Sequence, residues 1–157
     1  MSSDPADSAP IQWKLSAFDA LSVQELYELL QLRTEVFALE QNCIFQDMDG
    51  ADAQAVHLMG RRGGQLLAYA RCFPAGIKFP EASIGRILTR EQVRGSGLGH
   101  LLIEQALAAV ATLWGRQPIR IGAQARLKDL YTGHGFVDVG RAYIEDGIDH
   151  LEMVWRP

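Results

Sequence analysis

The stretch Arg94-Gly95-Ser96-Gly97-Leu98-Gly99 has the residue types and spacing to hold an anion. Glycine lets a backbone approach an anionic oxygen closely and take conformations closed to residues with a Cβ, while the free N–H groups of a helix's first turn donate to such oxygens. A β-like run, SIGRILT over 83–89, precedes the stretch, and an apolar helical run from about Leu98 to Trp114 follows it. The layout fits a cradle for a pyrophosphate. It is not a P-loop, because no Lys-Ser/Thr follows the glycines to reach a terminal phosphate and Mg²⁺. It is not a dinucleotide fingerprint either: with Gly95 and Gly97 as the first two glycines, His100 stands where the third belongs. On glycine spacing alone, a tight strand-to-helix turn satisfies the same pattern.

The elements that must position this loop are legible from periodicity and turn chemistry. Ile11, Trp13 and Leu15 alternate as a first strand, and Ser22 with Glu25 three residues on makes a capping box for a helix expected to run to about Glu40. Its apolar face collects Val23, Leu26, Leu29, Leu30, Val36 and Phe37, with Arg33 and Glu35 near its end. Residues 41–54 carry Asp47, Asp49 and Asp52 around Gly50 without a period and read as a long loop. Runs over 55–61 and 65–73 around Gly63 and Gly64 predict a hairpin. After the 83–89 strand and the long helix come a short strand IRIGA, a short helix over 126–131 stopped by Gly133 and Gly135, and two strands around Asp146-Gly147. This order predicts one mixed sheet with helices on both faces.

At 157 residues the chain is sized for one domain, expected over 11–157 behind a flexible polar tail over 1–10. Forty-eight per cent hydrophobic and 22% charged residues are globular proportions, and a net charge of -4 argues against a dedicated nucleic-acid or anionic-membrane binder. No run reaches the ~18 apolar residues of a membrane helix. Even the most apolar segment, 98–114, is interrupted by His100, Glu104 and Gln105. Cys43 and Cys72 stand in no metal-type spacing and no leader pattern precedes them, so no metal is expected and the expected compartment is the cytoplasm.

Arg94-x-x-Gly97-x-Gly99 between a strand and an amphipathic helix resembles the coenzyme A signature of the GCN5-related N-acetyltransferases (GNAT), Arg/Gln-x-x-Gly-x-Gly/Ala. Downstream, Tyr131-x-x-x-Gly135-Phe136 looks like that superfamily's tyrosine followed by a Gly-Phe turn. The segments LLQLRTEVFALEQNCIFQDMDGAD, GAQARLKDLY and EDGIDHLEM are similar to its ElaA branch, so the resemblance covers about Trp13 to Met153. It implies an α/β (mixed α+β) GNAT fold: a central, mostly antiparallel sheet of about six to seven strands, helices on both faces, and fourth and fifth strands that splay to admit pantetheine. It also implies acetyl-CoA as cosubstrate. Backbone groups at Ile87, Leu88 and Thr89 would then polarise the thioester carbonyl, the N–H groups of Arg94, Gly95, Ser96, Gly97, Leu98 and Gly99 would hold the pyrophosphate, and Tyr131 would serve as general acid. Without the motif, Tyr131 reads as a packing residue beside Leu127 and Leu130.

The base is not assigned by the resemblance. Several superfamily members carry a carboxylate on the strand before the glycine loop, whereas SIGRILT offers only Arg86 as a charged group. His57, His150, Glu35 and Glu145 are the candidates, and histidine titrates near neutrality without tuning. Asp47, Asp49, Asp52, Glu145, Asp146 and Asp149 lie in two loops that could attract a cationic amine. His100 and His134 read as surface or packing residues. The expected function is transfer of an acetyl group to a primary amine of a small molecule or peptide in a ternary complex. A longer-chain acyltransferase, as in the acyl-homoserine-lactone synthases that share the fold, and a non-catalytic acyl-CoA sensor are the alternatives. Exposed edge strands would suit a homodimer. Acetyl-CoA should raise the melting temperature while NAD and ATP do not, because both other nucleotide fingerprints are missing; equal stabilisation by ATP in a thermal-shift titration would count against a CoA-specific site.

Overall fold

A computed structural model describes residues 9–157, so the expected tail lies outside the described residues up to Ser8. The carbonyl of Ala9 accepts a hydrogen bond from Nε of Arg62 at 2.8 Å. The strands are β1 (Gln12–Ala17), β2 (Val56–Arg62), β3 (Gln65–Phe73), β4 (Ala82–Thr89), β5 (Ile119–Gln124), β6 (Phe136–Glu145) and β7 (Ile148–Trp155). They form one sheet in the order β1-β2-β3-β4-β5-β7-β6, antiparallel except at β4–β5. That parallel pair holds register at only two positions, Ala82 with Ile119 and Ser83 with Arg120. Beyond Ser83 the strands part and leave a gap in the middle of the sheet, the splay that the sequence resemblance implies.

Among the described residues, three α-helices cover the faces. α1 (Val23–Arg33) starts at the expected capping box, with Ser22 Oγ accepting from the Glu25 N–H at 3.0 Å and Glu25 Oε1 accepting from the Ser22 N–H at 2.9 Å. It ends earlier than expected, because residues 34–40 continue as a wider π-helix. The Cys43 N–H reaches back five residues to the Ala38 carbonyl at 3.2 Å, a difference that apolar periodicity does not register. Val23, expected on the apolar face, is 88% exposed, and Leu32, not expected there, is buried with Leu29 and Val36 against Met59, Leu66, Tyr69 and Leu88. On the other face, α2 (Leu98–Trp114) buries Leu98, Leu102, Ile103, Ala106, Ala109 and Val110, one stripe at helical spacing. These pack on Leu58, Ala70, Ile84 and Ile121 together with Tyr131 of α3 (Lys128–Thr132).

β4 carries an irregularity that matters for the site. Tyr69 of β3 faces Leu88 and Arg71 faces Gly85, so two β4 residues, Arg86 and Ile87, lie opposite the single Ala70. The extra residue is a β-bulge. It resets the alternation of the strand: Ile84 and Ile87 both pack on the α2 side, and Leu88 on the α1 side.

Beneath the end of α1 the sheet is polar. Arg33, with no exposed surface, donates from Nε to Asp47 Oδ2 at 2.8 Å and from Nη1 to Asp52 Oδ1 at 2.7 Å. Buried Arg71 bonds both Asp49 and Asp52, and Lys78 reaches Asp49 at 3.1 Å. The hydrogen bonds from Arg71 hold the Asp49 carboxyl far below the usual range; burial alone would raise Asp52, but Arg33 and Arg71 outweigh it and hold it low. Full burial also lowers His57, whose Nε2 lies 2.9 Å from the Asp52 carbonyl and Nδ1 2.6 Å from the Tyr69 hydroxyl. A carbonyl only accepts, so Nε2 carries the proton and Nδ1 accepts from Tyr69.

The depressed values fix how stability depends on pH. As pH falls below about 6.5, the ordinary value for histidine, the unfolded chain takes up a proton that buried His57 refuses, and stability declines. Below about 3.8 the unfolded carboxylates of Asp49 and Asp52 protonate before the folded ones, and a second decline follows. Denaturant unfolding across pH 3–8 should show both stages, and His57→Gln should remove His57's share of the first while leaving the second. An unchanged upper stage in that variant would mean His57 is not the responsible group.

Candidate active site

The glycine loop begins where β4 ends, at the rim of the β4–β5 gap. A short 3₁₀ turn over Glu91–Val93 leads into it, and Gly95 and Gly97 have φ of +83° and +86°. Gly97 is the N-cap of α2, which has no side-chain cap and no acidic residue in its first turn. The first backbone bond of the helix runs from the Leu101 N–H to the Gly97 carbonyl at 3.3 Å, so the N–H groups of Leu98, Gly99 and His100 have no partner within the helix. Unpaired donors at the positive end of a 17-residue helix have the chemistry to hold an anion.

Gly99 sharpens that assignment. The left-handed backbone accounts for Gly97, but Gly99 lies in the helix without a positive φ, and a Cβ there would meet nothing within 4 Å. Folding does not ask for glycine at this position, where it costs up to about 1 kcal/mol relative to alanine. Glycine leaves open space beside the backbone at the start of the helix. Arg94 stands beside the loop with Nη1 2.6 Å from Glu40 Oε2 and Nη2 donating to the Thr89 carbonyl at 2.9 Å, so its charge is already paired with Glu40.

On β4, Leu88 and Thr89 face Tyr69 and Ala68 of β3, while Ile87 has no register partner. Their opposite edge borders the gap. Tyr131 is only 5% exposed, with its ring edge-on to Phe136 at 5.8 Å, and burial pushes its phenol up to about 12. Among the described residues its hydroxyl is hydrogen-bonded to none, yet it is not one of the polar atoms sealed without a partner. It remains a free donor. The turn after it is tight because Gly135 has φ +94° and a Cβ there would come within 3.2 Å of the Trp155 ring.

The base candidates separate by their hydrogen bonds. His57 has both ring nitrogens engaged and no exposed surface. Glu35 pairs with Arg90 at 2.7 Å. His150 lies opposite Gln124 at the end of β5 and stacks on Tyr143 at 5.3 Å. Its Nδ1 donates to the Ile148 carbonyl at 2.7 Å, which leaves Nε2 with a lone pair in the neutral ring, 3.8 Å from the exposed carboxylate of Glu145. His100 and His134 pair with each other at 2.8 Å.

The two acidic loops also differ. Asp47, Asp49 and Asp52, expected as a lure for a cationic amine, are neutralised from within by Arg33, Arg71, Arg86 and Lys78. Glu145 remains exposed at the β6–β7 turn, which Cys43 Sγ ties to the 41–54 loop by donating to the Asp146 carbonyl at 3.0 Å. Sequence reasoning missed the wall facing His150: Gln41 meets Gln124 at 3.3–3.5 Å, and the Tyr143 hydroxyl occupies the space where a Cβ of Gly122 would stand. Gly122 in the middle of IRIGA was the available signal, since a glycine inside a strand often marks close approach by another group.

A splayed parallel pair, a bulged strand beside the gap and an uncapped helix behind glycines define the acyl-CoA-handling class of the GNAT fold. The acetyltransferase (GNAT) domain model matches residues 21–157, and the chain belongs to this family. Within it the chain is ElaA-like: it is 39% identical to protein ElaA of Escherichia coli over 145 residues, 91% of this chain and 95% of that protein. The crystal structure of E. coli ElaA superposes with a TM-score of 0.86 at 38% identity, covering 93% of this chain and 99% of that one. An acyl-CoA N-acyltransferase from Pseudomonas aeruginosa superposes with a TM-score of 0.88 at 44% identity, covering 92% and 99%. The AHL synthase LasI, at 15% identity and a TM-score of 0.73, shares the fold. No helix among the described residues is long and apolar enough to cross a membrane.

Gly99→Leu places a side chain in the open space before α2 while improving helix propensity. The variant should keep or raise the apo melting temperature and weaken CoA binding by tenfold or more in calorimetry. Unchanged affinity in the folded variant would remove the phosphate from this end of the helix.

Proposed function

We propose that the protein is an acetyl-CoA-dependent N-acetyltransferase that acetylates a primary amine of a small molecule or peptide by direct attack in a ternary complex. The observation that carries this reading is Gly99, a helix glycine with open space before it and unpaired N–H groups around it, at the mouth of the β4–β5 gap. The loop from Arg94 to Gly99 holds the pyrophosphate, and a backbone N–H within Ile87–Thr89 donates to the carbonyl oxygen as it gains charge. Two buried free thiols, Cys43 and Cys72, suit a reducing compartment such as the cytoplasm.

In the reaction the amine lone pair forms the C–N bond, the C–S bond breaks, nitrogen loses a proton and sulfur leaves as thiolate. His150 Nε2, with its lone pair directed by the Nδ1–carbonyl bond, accepts the proton from nitrogen. His57 has no free nitrogen for this and is left out. Tyr131 donates toward the sulfur. Burial pushes its phenol up to about 12, so it stays protonated throughout the neutral range and holds the proton it offers to the developing thiolate.

The test is steady-state thioester cleavage with a panel of amines and a series of acyl chain lengths, beside CoA binding by calorimetry. Amine-dependent cleavage of acetyl-CoA is the expected result. Tyr131→Phe and His150→Gln should each lower kcat by about 10²-fold with CoA affinity nearly intact. A Phe variant with wild-type turnover returns Tyr131 to packing. CoA binding without cleavage for any amine makes the protein a sensor, and cleavage only of long acyl chains makes it a longer-chain acyltransferase.

A further inference from the structure

We propose that Arg86, clamped by Asp47, is a positioning residue that aims the β4 backbone into the β4–β5 gap, given the acyl-transfer reading above. Arg86 has φ +48°, a left-handed conformation that residues with a Cβ rarely adopt, and it does so inside a strand. Such a conformation persists where the surroundings over-determine it. Here the surroundings are identifiable. Arg86 donates from Nε to Asp47 Oδ1 at 2.8 Å and from Nη2 to the Asp47 carbonyl at 3.2 Å, with its guanidinium over the Phe45 ring at 5.7 Å.

Asp47 is itself immobilised from the other side. Its second carboxylate oxygen accepts from Arg33 Nε at 2.8 Å, and its carbonyl accepts from Arg33 Nη2 at 3.1 Å. Arg33 belongs to α1, is wholly buried and is held again by Asp52, which Arg71 of β3 shares. Asp47 thus bridges the end of a packed helix and the bulged residue of β4. The consequence is local and geometric. Because Arg86 and Ile87 stand opposite one residue of β3, the peptide between them has no place in the β3 ladder, and the bulge sets the direction of its N–H group, that of Ile87. That group is among those read as donors to the thioester carbonyl. The charge cluster therefore acts on the reaction through backbone direction, at a distance from any ligand.

Three Arg86 variants separate this from a general loss of stability. Arg86→Ala keeps a Cβ in the left-handed region and removes the clamp; Arg86→Gly removes the clamp but adopts the same φ freely; Arg86→Lys keeps the charge. In the thioester assay kcat should fall tenfold or more in Arg86→Ala, recover in part in Arg86→Gly and Arg86→Lys, and leave KM for acetyl-CoA within threefold, since the glycine loop is untouched. Lys78→Ala, which removes a charge from the same cluster without touching Asp47, should leave kcat within twofold. Wild-type kcat in Arg86→Ala, a glycine variant no better than alanine, or kcat and CoA affinity falling together would each overturn the proposal. A second readout is independent of turnover. The Ile87 and Leu88 amide resonances should move in Arg86→Ala and not in Lys78→Ala. If the wild-type protein cleaves no thioester, the acyl-transfer reading fails on its own, and the amide shifts still decide whether Arg86 sets the bulge.

Discussion

The two-residue limit on β4–β5 pairing is the constraint from which the rest of the molecule follows. A sheet interrupted at its centre leaves backbone N–H and C=O groups of both strands without ladder partners past Ser83 and Arg120. Backbone groups in a protein interior need partners, so such a gap persists only where water or a ligand supplies them. The loop that leaves β4 leads directly into the uncapped start of α2, so the strand that borders the gap is followed by a helix end with unpaired donors. Elsewhere the strands pair along most of their length, interrupted by irregularities at Gly60–Arg61, Tyr69–Arg71 and Asp138–Ala142, and the two larger apolar clusters lie on opposite faces of the sheet.

Keeping the gap open requires rigid walls, and the two walls are built differently. The α2 side is apolar, a helix stripe laid on strands, and gains stability from burial at roughly 25 cal/mol per Å². The α1 side contains buried arginines, whose desolvation is unfavourable unless every charge is matched. Arg33 meets that condition with Asp47 and Asp52, and Arg71 with Asp49 and Asp52, although Nε of Arg71 has no partner. An apolar core would have served stability as well. What the charges add is direction: each guanidinium fixes specific atoms of a long loop that has no regular secondary structure beyond one short turn.

The elements were legible in the sequence wherever one local signal was strong. The capping box at Ser22 and Glu25, the Gly63-Gly64 and Asp146-Gly147 turns and the limits of α2 all follow from residues adjacent in the chain. The glycine loop was legible because its motif is contiguous. The change from α to π geometry after Arg33 was not, since Val36 continues an apolar face under either geometry. The acidic loop was misread for a physical reason: an aspartate's partner lies far away in sequence, 39 residues for Asp47 and Arg86 and 22 for Asp49 and Arg71. The hint was present in Arg71 and Arg86, charged residues inside apolar strand patterns, which demand buried counter-charges.

The two strand histidines carry the same lesson to the level of single lone pairs. His57 and His150 were equivalent as residue types, and each has one nitrogen beside a backbone carbonyl. In His57 that carbonyl takes the Nε2 proton and the Tyr69 hydroxyl takes the remaining lone pair, so the ring is consumed by the fold. In His150 the carbonyl takes the Nδ1 proton and Nε2 is left facing a carboxylate 3.8 Å away, too long for a hydrogen bond. One additional hydroxyl, contributed by a tyrosine on a neighbouring strand, engages the second nitrogen of His57, whereas Nε2 of His150 has no hydrogen-bond partner among the described residues.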